Sequence, residues 1–429
     1  MPPFKIIATV KPYFYEYGRF LSWQTVILFL NTIAGFIVIR ALSKTDYAYY
    51  TIVFTTLTMF TNITNTGIEP AINAIGGRNW QDKNHMAVLV NTARRFRKKA
   101  GLYLALPILI YCGWQLLYTG LPEQLLLLFI ISLAAGGIIL LNTSIYVSVL
   151  RLNGEIKALQ RVDGLTGILK LAGIVLLWIF APSAWLFLWW LIFCMAIQYA
   201  LLWYRSQLYL SATSKTDEKI SSQIYDLFKP NIINTIYWAF QGQILVFIAT
   251  LFGSTENIGE IGAMGRIAIL FAPFSLLITN YFQPAVAKAV NSREISSNIK
   301  KAFALLAIPA LGLLGLVFFA PHLFLLILGK QYFNLENYLL LFLSISLLTV
   351  AQSVLYSFCS ARGWVKLFYL YTPFILFVQV ILFYCLKLDN LYSILIFKGI
   401  SELGALLLSV ALFLYSFYQF RKTQHSTEG

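Results

Sequence analysis

Histidine, cysteine and charge are all scarce in this chain of 429 residues. The three histidines, His85, His322 and His425, stand apart without metal-ligand spacing, so neither a metal site nor histidine-based catalysis is expected. The four cysteines, Cys112, Cys194, Cys359 and Cys385, all fall inside apolar runs. They read as small buried hydrophobes, not as disulfide partners or ligands. Charged residues make up only 11% of the chain, against roughly 25% in soluble domains. That excludes a soluble globular enzyme. With 59% hydrophobic residues and a mean hydropathy of +0.74, the outer surface must face hydrocarbon. No cofactor is expected.

A spanning helix needs about 20 apolar residues. Twelve such runs are present, at 17-41, 48-75, 100-118, 122-150, 162-181, 183-205, 230-252, 263-290, 302-328, 337-361, 364-387 and 392-420. The fold class expected is therefore an all-α polytopic membrane protein. The start, Met1 to Glu16, is mixed polar and aromatic, and no cleavable signal peptide is expected there.

The net charge of +15 would suit a nucleic-acid partner if it formed a folded reader, but the basic residues are spread through the connections. Most of them lie on one side: Lys5, Lys11 and Arg19; Arg78, Lys83 and Arg94 to Lys99; Arg151, Lys157 and Arg161; Arg205 to Lys229; Lys288 to Lys301; Arg362 and Lys366; Arg421 and Lys422. Positive residues are retained in the cytoplasm, so both termini are expected there. The run Arg94-Arg95-Phe96-Arg97-Lys98-Lys99 reads as a topology anchor against anionic membrane lipid. The longest connections, near 76-99 and 206-229, are too short for a soluble catalytic domain, and no nucleic-acid partner is expected.

Sliding the chain on itself by 210 residues places Gln24 on Asn234, Asn31 on Gln241, and Thr45-Asp46 on Thr255-Glu256. This suggests two halves of six helices, residues 1-205 and 230-429, joined by a cytoplasmic linker at 206-229. Because six is even, both halves start in the cytoplasm and the repeat is parallel.

Polar side chains in lipid must face protein or water. The second run carries Thr51, Thr55, Thr58, Asn62, Asn65 and Glu69 on one helix face. Such residues can serve as interhelical glue, but a row of six ending in a carboxylate favours a water-filled groove. Arg19, Gln24 and Asn31 on the first helix, Asn231, Asn234 and Gln241 on the seventh, and Arg266 and Asn280 on the eighth extend the pattern. The first two helices of each half are therefore expected to surround a central cleft. Lys170 lies inside the fifth run with Asp163 two turns earlier, whereas Lys398 and Glu402 form an i, i+4 pair able to neutralise each other. Arg40 and Arg266 stand near the outer interface, where snorkelling is cheap. The surplus at depth is cationic and suits a phosphate or pyrophosphate group.

Three stretches carry a family resemblance: Ile39-Arg40-Ala41-Leu42-Ser43-Lys44-Thr45-Asp46-Tyr47, Asn65-Thr66-Gly67-Ile68-Glu69-Pro70-Ala71, and Phe252-Gly253-Ser254 with Ile258-Gly259. On these the chain resembles the polysaccharide flippases of the multidrug/oligosaccharidyl-lipid/polysaccharide exporter superfamily. It departs at Ser43-Lys44, where such proteins often have Gly-Pro. The resemblance implies two six-helix lobes around a cleft in a bacterial inner membrane. It implies a cargo of undecaprenyl-pyrophosphate-linked oligosaccharide moved by alternating access, with a glycan polymerase and a chain-length regulator as candidate partners. Lys170, Arg266, Arg40 and Arg19 would hold the pyrophosphate. Gln24, Asn31, Asn62, Asn65, Asn234 and Gln241 would contact sugars, with Glu69 closing the row.

Two other classes compete. A multidrug exporter of the same superfamily should place acidic residues deep in its cleft, and the first run has none between Gly18 and Ile39. A polytopic glycan polymerase or glycosyltransferase needs acid, base or metal-binding residues on a sizeable loop. The outer loops here are short, so no enzymatic activity is expected.

Overall fold

The computed structural model describes residue 23 and residues 25-428, apart from 66-71, 74, 78-79, 214, 230-231, 279-281, 290 and 365. No strand occurs among the described residues. The chain divides into two compact units, Met1–Ile244 and Leu245–Gly429.

In the first unit, α1 (Thr25–Ala41) is followed by α2 (Lys44–Asn65), α3 (Lys83–Tyr118), α4 (Glu123–Leu152), α5 (Ile156–Phe180), α6 (Ala184–Ser206), α7 (Glu218–Phe228) and α8 (Ile232–Gln241). Helix starts are set by side-chain caps. The Ser43 hydroxyl accepts from the Asp46 backbone N–H at 3.0 Å and donates to the Asp46 carboxylate at 2.8 Å, a reciprocal cap of the Ser-x-x-acid kind. This is what stands in place of Gly-Pro at that turn. Asp82 likewise accepts from Asn84 and His85 at the start of α3. Helix α4 packs against α2, α3 and α6, and α5 packs on α6. One core of this unit gathers Met86, Val90 and Ala93 of α3, Ile145 and Val149 of α4, Leu202 of α6, and Ile220 and Ile224 of α7.

The second unit contains α9 (Ile244–Phe252), α10 (Thr255–Ala268), α11 (Ala272–Leu277), α12 (Gln283–Lys288), α13 (Ser292–Phe319), α14 (Pro321–Leu328), α15 (Glu336–Ala361), α16 (Tyr371–Cys385) and α17 (Leu391–Glu428). Helix α15 packs on α17, α13 and α12, around a core that includes Val286, Ile299, Leu306, Val354 and Phe358. Ser254 caps α10 by accepting from the Asn257 N–H at 3.2 Å. Thus Thr45-Asp46 and Thr255-Glu256 both occupy the first turn of a helix with a capping serine before it.

The described part of each of the twelve apolar runs falls mostly on a helix or a succession of helices. Eight helices among the described residues are long and apolar enough to cross a bilayer, and the run 230-252 is broken by a bend of 55° between Thr235–Gln241 and Ile244–Phe252. Only 22% to 39% of each spanning window is buried inside the protein. Phe180 and Phe319 are 79% and 83% exposed, so the apolar surface is turned outward, where a bilayer covers it. The chain is a multi-pass membrane protein. Cys112, Cys194 and Cys359 are buried as expected, but Cys385 is exposed because it ends α16 on an outward face.

The connection 206-229 is tied down along its length. Ser211 N–H donates to the Lys83 carbonyl at 3.2 Å, Asn91 donates to the Thr213 carbonyl at 2.6 Å, and the Asp217 N–H donates to Thr92 at 3.0 Å. The amphipathic α7 then lies on α3 through Ile220 and Ile224. At the same end Tyr209 donates to Glu155 and Arg205 reaches it at 3.3 Å. The Tyr209 hydroxyl, with the Arg205 guanidinium, holds the Glu155 carboxyl below its usual range.

Close approach requires the glycine at 173. A Cβ on Gly173 of α5 would stand 1.8 Å from Cε2 of Trp190 on α6, and the Trp190 indole donates to the Lys170 carbonyl at 3.3 Å. Gly173→Ala is expected to push the indole away and destabilise the fold by about 1–3 kcal/mol, the usual cost of overpacking. Gly265→Ala, where a Cβ meets nothing within 4 Å, is the control and should be neutral or slightly stabilising, since alanine is the better helix former. Thermal unfolding in detergent separates the two signs; equal midpoints would show that the α5–α6 contact yields freely.

Candidate functional site

Helix α5 begins at Ile156, six residues before the apolar run it contains. Lys170 is fourteen residues from that start and eight into the apolar run, about 12 Å at 1.5 Å per residue, which places it well inside the hydrocarbon. Its ammonium donates to Asn31 Oδ1 on α1 at 3.0 Å. Asn31 in turn donates from Nδ2 to the Ile27 carbonyl at 2.9 Å, and this fixes the amide so that its oxygen faces the lysine. Nearer the helix start, Trp23 Nε1 donates to the Gln160 carbonyl at 2.8 Å. The two rungs run in the same direction along both helices, so α1 and α5 lie side by side and parallel. Asp163, two turns before Lys170, accepts from Gln198 of α6 at 2.9 Å.

A second polar chain links α2, α3 and α4. Arg97 Nη1 donates to Ser144 Oγ at 2.5 Å, and Ser144 donates to Asn65 Oδ1 at 3.1 Å. Arg97 is 2% exposed. A buried guanidinium needs hydrogen-bonding partners to offset its desolvation, and Ser144 of α4 is one, itself held by Asn65, the last residue of α2.

The structure therefore brings Asn31 to Lys170 and Asn65 to Ser144 and Arg97. Arg40 and Asn62 are exposed, Gln241 is buried at the end of α8, and Arg266 is half-buried in the last turn of α10, in the other compact unit. Arg19, Gln24 and Glu69, and the side chain of Asn234, lie outside the described residues. Along the row on α2, Thr51 is buried, Thr55 and Thr58 donate to carbonyls of their own helix, and the outer face belongs to Thr58 and Asn62. Lys398 and Glu402 are paired at 2.6 Å and nearly buried, so that cation is neutralised within its own helix.

Sequence reasoning missed Arg97, which it grouped with the surface anchor. The signal was present: Met86, Val90, Ala93, Arg97 and Gly101 recur at helical spacing, and all five are buried. Trp190, Gln198 and Ser144, which position Lys170, Asp163 and Asn65, carry no comparable pattern.

No family model and no curated protein matches the sequence. Solved structures do match. An inward-facing multidrug resistance MATE family transporter of the MOP superfamily aligns with a TM-score of 0.71 at 15% identity, over 93% of this chain and 96% of that one. The lipid II flippase MurJ, inward closed, aligns at 0.72 and 10% identity, over 94% and 89%. This chain has the fold of a MOP-superfamily transporter. A third match is a MOP superfamily transporter from Pyrococcus furiosus whose binding pocket is described as reversed in polarity; it aligns at 0.64 and 16% identity, over 93% of each chain. The architecture is thus the twelve-helix, two-lobed one expected of the sequence.

Proposed function

We propose that this chain is a flippase that moves undecaprenyl-pyrophosphate-linked oligosaccharide repeat units across a bacterial inner membrane by alternating access, with both termini in the cytoplasm. The observation that carries this reading is a lysine held at mid-depth of α5 by an amide on α1. A cation inside a membrane span is costly and marks a substrate or ion path. An ammonium beside an amide suits a phosphate oxygen next to a hydroxylated ring. The likeness in fold to a lipid II flippase supports the same class of cargo. On this reading residues 1-205 and 230-429 are the two lobes, Lys170, Asn31, Asn65 and Gln241 belong to the substrate path, and a glycan polymerase and chain-length regulator act after it.

A second reading, a cation-coupled multidrug exporter, is favoured by Asp163, an acid inside α5 bonded to Gln198, and by the likeness to MATE transporters. Deletion of the gene decides between the two. The flippase reading expects loss of surface polysaccharide with undecaprenyl-linked oligosaccharide accumulating in the inner leaflet. Intact glycan with new sensitivity to cationic drugs would overturn it in favour of the exporter.

A further inference from the structure

The basic run of α3 does more than face the membrane surface: it heads a formed groove. We propose that one anionic phospholipid of the cytoplasmic leaflet docks between α3 and α4, its phosphate on Arg94 and Lys98 and an acyl chain along the apolar trough beyond them.

The groove has a volume of about 910 Å³, and Arg94, Arg95, Arg97 and Lys98 line it. No acidic residue is among the described residues that line it. Arg94 is held in place, with Nε donating to Asn142 of α4 at 3.4 Å and its guanidinium 5.9 Å from the centre of the Tyr146 ring. Lys98 is exposed. Arg95 donates to Thr216 at 3.3 Å and also borders a neighbouring hollow that contains Asp217 and Glu218, so it is the less suitable headgroup ligand.

The composition of the groove changes along its length. Beyond the cations its walls are Ala105 and Leu109 of α3 and Ile138 and Leu141 of α4. Arg94, Lys98, Gly101, Ala105 and Leu109 follow one another at helical spacing, so a single face of α3 passes from charged to apolar. From Lys98 to Leu109 is about 16 Å at 1.5 Å per residue, close to half of the ~30 Å hydrocarbon core. A soluble anion would use the cations alone, whereas a phosphate-headed lipid of one leaflet matches both the charge and the length. Leu102 and Ile138 are 74% and 64% exposed at the rim, so the trough opens sideways to the bilayer. This inference is independent of which cargo the protein carries.

Native mass spectrometry of the full chain in detergent, titrated separately with phosphatidylglycerol and phosphatidylcholine, tests it. Retention of one phosphatidylglycerol in roughly tenfold preference is expected, the factor that one or two cations near an anionic headgroup supply. Arg94→Gln with Lys98→Gln should erase the preference. Ala105→Trp, which fills the trough and leaves the cations intact, should reduce retention of both lipids. Equal retention by the native chain, an unchanged preference in the double variant, or unchanged retention in Ala105→Trp would each overturn the proposal. Displacement of phosphatidylglycerol by an equimolar amount of undecaprenyl phosphate would also overturn it, because the groove would then belong to the transported lipid.

Discussion

A strain carrying Lys170→Ala in place of the native gene is expected to lose surface polysaccharide while the protein inserts at its normal level. Hydrogen bonds to charged groups contribute about 1.5–3 kcal/mol each, so removing the ammonium should slow translocation by roughly 10- to 150-fold. Stability should move the other way or not at all. A charge at the bilayer centre costs about 2.5–3.5 kcal/mol on insertion scales, and alanine removes that cost, although Asn31 loses its 3.0 Å partner. The two effects therefore separate a substrate role from a structural one. Lys170→Arg should keep partial function, since the charge survives in a different shape. Full complementation by Lys170→Ala, measured as surface glycan at equal protein level, would remove Lys170 from the substrate path.

Arg97→Ala should give the largest loss of stability among single changes in the first unit, about 3 kcal/mol. It removes the charged hydrogen bond to Ser144 and leaves a cavity where a side chain 2% exposed now sits. Arg97→Met restores most of the volume but not the charge. Because burying a guanidinium is itself costly, the methionine variant should lose only about 1–2 kcal/mol. The protein supplies its own reporter once the exposed Cys385 is replaced by serine: Cys112, Cys194 and Cys359 are buried, so a thiol-reactive dye in detergent follows unfolding. If Arg97→Ala melts with the native protein, the α2–α3–α4 network is not a stabilising one.

The number and place of the membrane helices were legible in the sequence, but their ends were not. Hydropathy marks where a helix meets hydrocarbon, whereas hydrogen bonding continues into water. Thus α3 starts at Lys83, capped by Asp82, although its apolar run begins near residue 100. Helix α5 likewise starts at Ile156, with Lys157 and Arg161 inside it. Counting charges as loop residues followed from the same limit, and it concealed Arg97 on the buried face of α3. For the candidate site, Lys170 and Asn31 were each recognised as polar residues at depth. Their pairing was not legible, because it depends on α1 lying parallel to α5, a tertiary fact with no local signature. The Lys398–Glu402 pair, by contrast, is set by i, i+4 spacing on a single helix, and it forms as expected.

The segment between α6 and α8 is fastened to α3 at Lys83, Asn91 and Thr92 before α7 lies along that helix. The described part of that connection therefore moves with α3 as one piece, and a few glycines inserted between Tyr209 and Ser211 would let it shift without its anchor.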